Sequence, residues 1–318
     1  MKPLISPTLL KILSKNLNLD DSPGKAKYND NVNSVGIIGC GWLGTVLAHA
    51  LQALGTDVFT TTRTPEKQAQ LINAGIPCEI MNLALDNKTP GLTDPNALNY
   101  LIEANVFKQQ HLIICITPQF KQGKKNYAQN IQRIVEAANI NALSGHLQNV
   151  ILVSSTGVYK NLTGDITEER TLDLLDEKVS SLINAENKLQ LFSGTKAIIR
   201  FGGLVGPKRH PGRFLAGKTN LGNASEKVNL IHQVDAVGIL LTLLYKPCVS
   251  GVFNAISNTN ITRQQFYEQA TSSLGLVKPK FQVPLTTQEN KNIKNNYLIN
   301  SLGYELVYPD LSSSFEHY

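Results

Sequence analysis

The sequence predicts an α/β protein organised on a doubly wound parallel sheet, with a smaller C-terminal lobe. Three observations carry that prediction. An apolar strand runs into a glycine-rich turn and an apolar helix close to residue 34. Further apolar strands then alternate with helical stretches. Finally, 318 residues with 42% hydrophobic content can bury a large core, either as one domain or as a domain with a cap.

The bulk composition also excludes several classes. A formal net charge of +6, from 30 Lys and Arg against 24 Asp and Glu, suits an anionic small molecule, a nucleic acid or an ordinary solvated surface. The basic residues are dispersed, and no helix-turn-helix, zinc-finger or RNP-type aromatic signature accompanies them, so nucleic acid is not expected. The four cysteines, Cys40, Cys78, Cys115 and Cys248, form no CxxC or Cys/His cluster, which points to reduced thiols in a cytoplasmic protein without a metal site. No apolar run approaches the roughly 20 residues that cross a bilayer, so no membrane span is expected.

Residues 1–33 stand apart. Ser6-Pro7 reads as a helix start, and Leu9, Leu10, Ile12, Leu13 and Leu17 form a short amphipathic stripe before the polar linker from Asn18 to Asn33. A docking helix is expected there, with a disordered extension as the alternative.

From Ser34 to Ile38 an apolar strand leads into Gly39-Cys40-Gly41-Trp42-Leu43-Gly44, and a helix is expected from Thr45 to Leu54. GxGxxG alone is a weak motif, but here it has the strand and helix that its physics requires. Gly39 permits the tight turn, Gly41 lets the backbone approach a pyrophosphate, and Gly44 allows close packing of helix on strand. With Trp42 and Leu43 these residues make the expected phosphate site of a Rossmann domain, at a helix N-terminus that favours an anion.

A second strand, Asp57 to Thr62, ends at Arg63-Thr64-Pro65, where Thr64 caps a helix with Pro65 at its first position. An NAD site places Asp or Glu at the end of this strand for the ribose hydroxyls. Here Thr62 and Arg63 stand instead, and Arg63 suits a 2′-phosphate, so NADP is expected in preference to NAD. Further strands are expected at Cys78 to Asn82, His111 to Ile116 and Val150 to Ser155, with a helix from Tyr127 to Ala142. Ligands lie outside the carboxyl ends of such strands, which places Asn82, Thr117, Pro118 and Ser155 on the cofactor side.

The segment Val153-Ser154-Ser155-Thr156-Gly157-Val158-Tyr159 resembles the SSxxVYG segment of the extended short-chain dehydrogenases, the NAD-dependent epimerase/dehydratase group. The likeness continues in Ile199 to Pro207, which resembles that group's strand and Gly-Pro loop, and in Ile231-His232-Gln233-Val234-Asp235-Ala236-Val237, which resembles its HVDDVA segment. The Gly-Trp-Leu-Gly turn and the run from Gly203 to Phe214 are similar to the YeeZ-type atypical members of this superfamily. The resemblance covers about residues 34 to 310 and implies an oxidoreductase or epimerase-like enzyme.

Active members of the group pair a Ser/Thr with Tyr-x-x-x-Lys. Ser155 matches the first. Register against Ala185-Glu186 places Lys178 and Leu182 where the Tyr and Lys should be, and no tyrosine occurs between Tyr159 and Tyr245. Serine alone is a weak acid, so another proton donor is needed, and Tyr159, His210 and His232 are the candidates. His232 also reads as a structural partner of Asp235.

The loop Lys208-Arg209-His210-Pro211-Gly212-Arg213 suits a phosphate, a carboxylate or a nucleotide-sugar diphosphate. Thr156, Lys208, Arg209, Arg213 and His232 are accordingly expected to bind a small anionic substrate; Val228 replaces an arginine frequent in sugar-nucleotide epimerases. The expected organisation is an extension over 1–33, a Rossmann domain over 34–201 and a substrate lobe over 202–318 interleaved with it. A homodimer is the assembly considered. A noncatalytic NADP(H) sensor is the alternative function.

Overall fold

The computed structural model describes residues 16, 32–83, 95–246, 249–282 and 290–318. The segment expected to form the N-terminal docking helix, Asn16 apart, and nearly all of the linker lie outside them, as does Cys248. The chain divides into two compact units. The first comprises Met1–Ser154, Leu174–Ile199 and Leu240–Val252; the second comprises Ser155–Asp173, Arg200–Ile239 and Phe253–Tyr318.

The first unit is built on β1 (Ser34–Ile38), β2 (Asp57–Thr62), β3 (Cys78–Ile80), β4 (His111–Ile114) and most of β5 (Asn149–Ser155). The residues of β1 and β4 are almost wholly buried, as expected of parallel strands whose apolar runs carry no polar alternation. Each Ile or Leu so enclosed stabilises the fold by about 1.5–3 kcal/mol. Strand pairs β1–β2, β1–β4, β2–β3 and β4–β5 are parallel, with Ile37 beside both Thr60 and Ile113.

Parallel neighbours need crossovers, and helices supply them: α1 (Trp42–Ala53), α2 (Pro65–Asn73), α3 (Pro95–Glu103), α4 (Tyr127–Leu143) and, later, α5 (Glu177–Leu189). The Thr64 hydroxyl accepts from the Lys67 N–H at 3.3 Å, and Pro65 opens α2. With β6 (Gly164–Ile166), β7 (Thr195–Phe201), β8 (Gly203–Val205), β9 (Leu230–His232) and β10 (Gly251–Ala255) also defined, the seven-stranded sheet runs β10-β7-β5-β4-β1-β2-β3. The order reverses between β1 and β4, the topological switch point at which open α/β sheets bind ligands.

In the second unit β8 pairs in parallel with β9, and β6 with β11 (Lys291–Ile293). Its helical elements are α6 (Gly212–Leu215), the start of α7 (Gln233–Tyr245), α8 (Arg263–Ser272) and α9 (Asn296–Leu302). Thr262 and Gln265 close a capping box on α8. The core joins Val205, Val228, Leu230, Phe266, Tyr267 and Leu311, with Tyr308, Phe315 and Tyr318 packed against it.

Several boundaries differ from the sequence expectation. The first crossover helix starts at Trp42, three residues early, because the glycine turn feeds straight into helical geometry with Gly41 as its N-cap. β3 and β4 each stop two residues short of their expected ends.

Candidate functional site

The glycine turn of the first unit separates three physical demands. Gly39 has φ +88, and a Cβ there would meet Ile116 Cγ2 at 3.0 Å and the Cys115 carbonyl carbon at 3.1 Å, so turn and packing both require glycine. At Gly44 a Cβ would lie 3.2 Å from the Gly39 carbonyl and 3.3 Å from Ile37 Cγ2, which is the close approach of α1 to β1. Gly41 differs: its φ is −91, and a Cβ would find only the Gly39 carbonyl, at 4.0 Å. Packing within the folded chain makes no demand for glycine at residue 41.

The turn is anchored by β2. The Cys40 N–H donates to the Thr61 carbonyl at 2.8 Å, and the Gly39 N–H reaches the Thr61 hydroxyl at 3.3 Å. No side chain caps the N-terminus of α1, and no acidic residue lies in its first turn. Such an end presents backbone N–H groups and a partial positive charge to an anion. Burial pushes the Cys40 thiol up to about 11, so it stays neutral at pH 7 and is no nucleophile.

The other expected cofactor residues gather at the same strand ends. Thr62 closes β2 and takes the Met81 N–H on its carbonyl, which brings Asn82 nearby in sequence; Arg63 is exposed immediately beyond. Trp42 is half-buried and Leu43 buried at the start of α1. Thr117 and Pro118 follow β4, with Thr117 exposed. Beyond them Gln119, at φ 55, and Gly123, at φ 69, bracket a tight turn.

The Lys125 ammonium of this loop pairs with Glu177 of α5 at 2.6 Å, a partner that no local sequence pattern announces. At the register of the missing Tyr and Lys, Lys178 is exposed and Leu182 is buried in the core. Deeper in the same unit the Ser154 hydroxyl donates to the buried Glu186 carboxylate at 2.6 Å.

In the second unit the proton-donor candidates are enclosed. Tyr159 is 0% exposed; its hydroxyl donates to Asn254 Oδ1 at 2.8 Å and accepts from Arg200 Nη1 at 2.7 Å, and the Arg200 guanidinium lies over its ring. Glu168 ties this network together, accepting from the Asn254 N–H at 2.7 Å. Burial raises the Tyr159 pKa, with Arg200 pulling it back. None of this polar network was legible in the sequence, because its members lie up to 95 positions apart.

His210 is buried. Its Nδ1 accepts from the Gly212 N–H at 3.0 Å, and its ring packs against Tyr318 and Phe315. His232 is buried too, with Nδ1 accepting from Val234 and its ring 4.1 Å from that of Tyr308. Burial lowers both imidazole pKa values, that of His232 to about 4. The partners of Asp235 are Tyr304, Val307 and Tyr308, which donate to its carboxylate at 3.1, 2.7 and 2.9 Å. Burial nevertheless lifts Asp235 to about 6.

Ser155 and Thr156 remain half-buried, and the Ser155 hydroxyl accepts from the Gly157 N–H at 3.0 Å. Lys208, at φ 64, Arg209 and Arg213 are exposed on the basic loop.

A helix-flanked parallel sheet with this switch point and glycine turn is the Rossmann-type fold of the epimerase/dehydratase group. Among solved structures, MoeE5 in complex with UDP-glucose and NAD matches with a TM-score of 0.69 at 16% identity, over 90% of this chain and 96% of that one. The human epimerase family protein SDR39U1 (isoform 2) with NADPH matches with a TM-score of 0.66 at 17% identity, over 89% and 98%. UDP-N-acetylglucosamine 4-epimerase from Bacillus cereus gives 0.67 at 14%, over 89% and 97%. No protein-family model matches the chain. Protein YeeZ of Escherichia coli (strain K12) is 32% identical over 282 residues, 88% of this chain and 97% of YeeZ. The chain belongs to the YeeZ family. No helix among the described residues is long and apolar enough to cross a membrane.

Proposed function

We propose that the chain binds a nicotinamide dinucleotide with its diphosphate over Gly41, at the N-terminus of α1. The carrying observation is the open space at that residue: a Cβ at Gly39 or Gly44 would crowd the fold's own atoms, whereas one at Gly41 would have room, as fits a position where a ligand approaches the backbone from outside. The neighbours solved with NAD and with NADPH are in keeping with this reading. Arg63 supplies a guanidinium for a 2′-phosphate, so NADP is favoured over NAD. Asn82, Thr117 and Pro118 complete the cofactor side.

With the cofactor bound, hydride transfer is the chemistry supplied. Ser155 then orients a substrate oxygen, and Thr156, Lys208, Arg209 and Arg213 hold a small anionic substrate. This is an oxidoreductase or epimerase-like activity without the Tyr-x-x-x-Lys pair.

A second reading, binding without turnover, is favoured by the enclosure of Tyr159, His210 and His232, which removes three proton donors from solvent.

Calorimetric titration with NADPH and NADH tests the binding. The expected result is saturable binding of NADPH, abolished by Gly41→Val, with Arg63→Ala weakening NADPH about tenfold and leaving NADH unchanged. No heat with either cofactor would overturn the reading. Oxidation of NADPH across panels of keto acids and nucleotide sugars, lost in Ser155→Ala, separates turnover from binding alone.

A further inference from the structure

The first unit holds a second candidate anion site, independent of the glycine turn. Between the loop after β4 and the first turns of α5 lies a cleft of about 130 Å³. Its walls carry Lys124, Lys125 and Lys178, one carboxylate from Glu177, the hydroxyl-bearing Ser181 and the ring of Phe120. Three ammonium groups against one carboxylate leave the cleft positive. The lysines come from segments more than fifty residues apart, and the fold brings them to one cavity.

The backbone is committed to this arrangement. The turn at Phe120–Gln122 is entered through Gln119 in the left-handed region, an uncommon conformation for a residue with a side chain, and left through Gly123. The N-terminus of α5 is already satisfied, because Asp176 accepts from the Lys178 and Val179 N–H groups at 2.9 and 3.2 Å. The lysine side chains, and not the helix end, therefore define what the cleft can hold.

Lys125 and Glu177 form a 2.6 Å ion pair whose side chains are 80% and 76% exposed. An exposed pair of this kind is weak and screened, so a competing anion exchanges with it readily. Lysine acts on phosphate as a point charge, and three such charges with a hydroxyl suit a dianionic tetrahedral group better than a single carboxylate.

We infer that the Lys124/Lys125/Lys178 cleft binds the phosphate group of a small phosphate ester, and that Glu177 is its displaceable internal competitor. On binding, the phosphate oxygens take over Lys125 and Glu177 turns to solvent. No bond is made or broken.

The test is an NMR titration of the full chain with inorganic phosphate in the absence of dinucleotide. Saturable shifts are expected at the amides of Gly123, Lys124 and Lys178, weakening as salt is raised. Glu177→Gln should bind phosphate about fivefold more tightly, the effect of removing one unit charge about 4 Å away in water. A Lys124→Ala/Lys178→Ala double variant, shown folded by its circular dichroism, should bind at least tenfold more weakly. Gly41→Val should leave phosphate binding unchanged, so that failure of the dinucleotide proposal and failure of this one are told apart. Shifts confined to the turn at Gly39–Gly44, an absence of saturation, or an affinity that neither Glu177→Gln nor the double variant alters would each overturn the inference.

Discussion

Tyr159 holds its hydroxyl between a buried guanidinium and a buried amide, and removing that hydroxyl takes a hydrogen-bond partner from each. Tyr159→Phe leaves the Arg200 N–H and the Asn254 carbonyl oxygen without the partner now 2.7 and 2.8 Å away. An unsatisfied buried polar group costs about 1–3 kcal/mol, and the ring itself still fills its site, so a loss of about 2–3 kcal/mol is expected in urea unfolding. A variant as stable as the parent would show that the network contributes nothing. Sequence reading selected Tyr159 as a proton donor because its segment carries the family likeness. It had no means of seeing Arg200 and Asn254 close around it, since hydrogen bonding between distant positions leaves no local pattern. His210 and His232 were opaque for the same reason: what encloses them is aromatic side chains from the last eleven residues of the chain.

Elements were far more legible, for a local reason. β1 and β2 were delimited correctly from sequence because each is followed at once by local turn chemistry, the glycine turn after Ile38 in one case and the Thr64-Pro65 helix start in the other. The pairing of β6 with β11 was invisible, as each is three residues long and their partners lie 127 positions apart. The turn between β1 and α1 offers a sharp test of how its glycines divide the work. Gly44→Val drives side-chain atoms into the Gly39 carbonyl and Ile37, and a loss of about 1–3 kcal/mol is expected from overpacking. Gly41→Val places its first carbon in open space, so its urea midpoint should fall by far less while dinucleotide binding disappears. Equal destabilisation by both substitutions would mean that residue 41 serves the fold after all.

At the scale of the whole molecule, acid stability follows from two histidines and one aspartate. Neither nitrogen of His111 has a hydrogen-bond partner among the described residues, and burial lowers its pKa to about 4, as it does for His232. Both stay neutral in the native state while the unfolded chain takes up protons near pH 6.5. Their contribution is complete above that pH and is lost on the way down to 4, about 3 kcal/mol for each. Asp235 works in the opposite sense. Its native pKa of about 6 lies above the unfolded value, so the folded chain keeps a proton that the unfolded chain has released, and acidification through pH 6 returns about 3 kcal/mol. The histidines prevail, and stability should fall as the pH drops from 6.5 to 4. His111→Leu should flatten that decline by about 3 kcal/mol and raise stability at pH 7 as well, because an apolar side chain has no nitrogen to leave unpaired. Urea midpoints measured across the interval decide it; a parent curve that is level or rises toward acid would contradict the assignment.

The threading of the backbone has a practical consequence for anyone hoping to study the halves apart. Each unit draws on three separate stretches, so the polypeptide passes from one to the other five times. No single stop codon, protease nick or gene fusion therefore releases either unit whole. Excising the first unit as a self-sufficient piece would take rewiring of the chain with several new linkers.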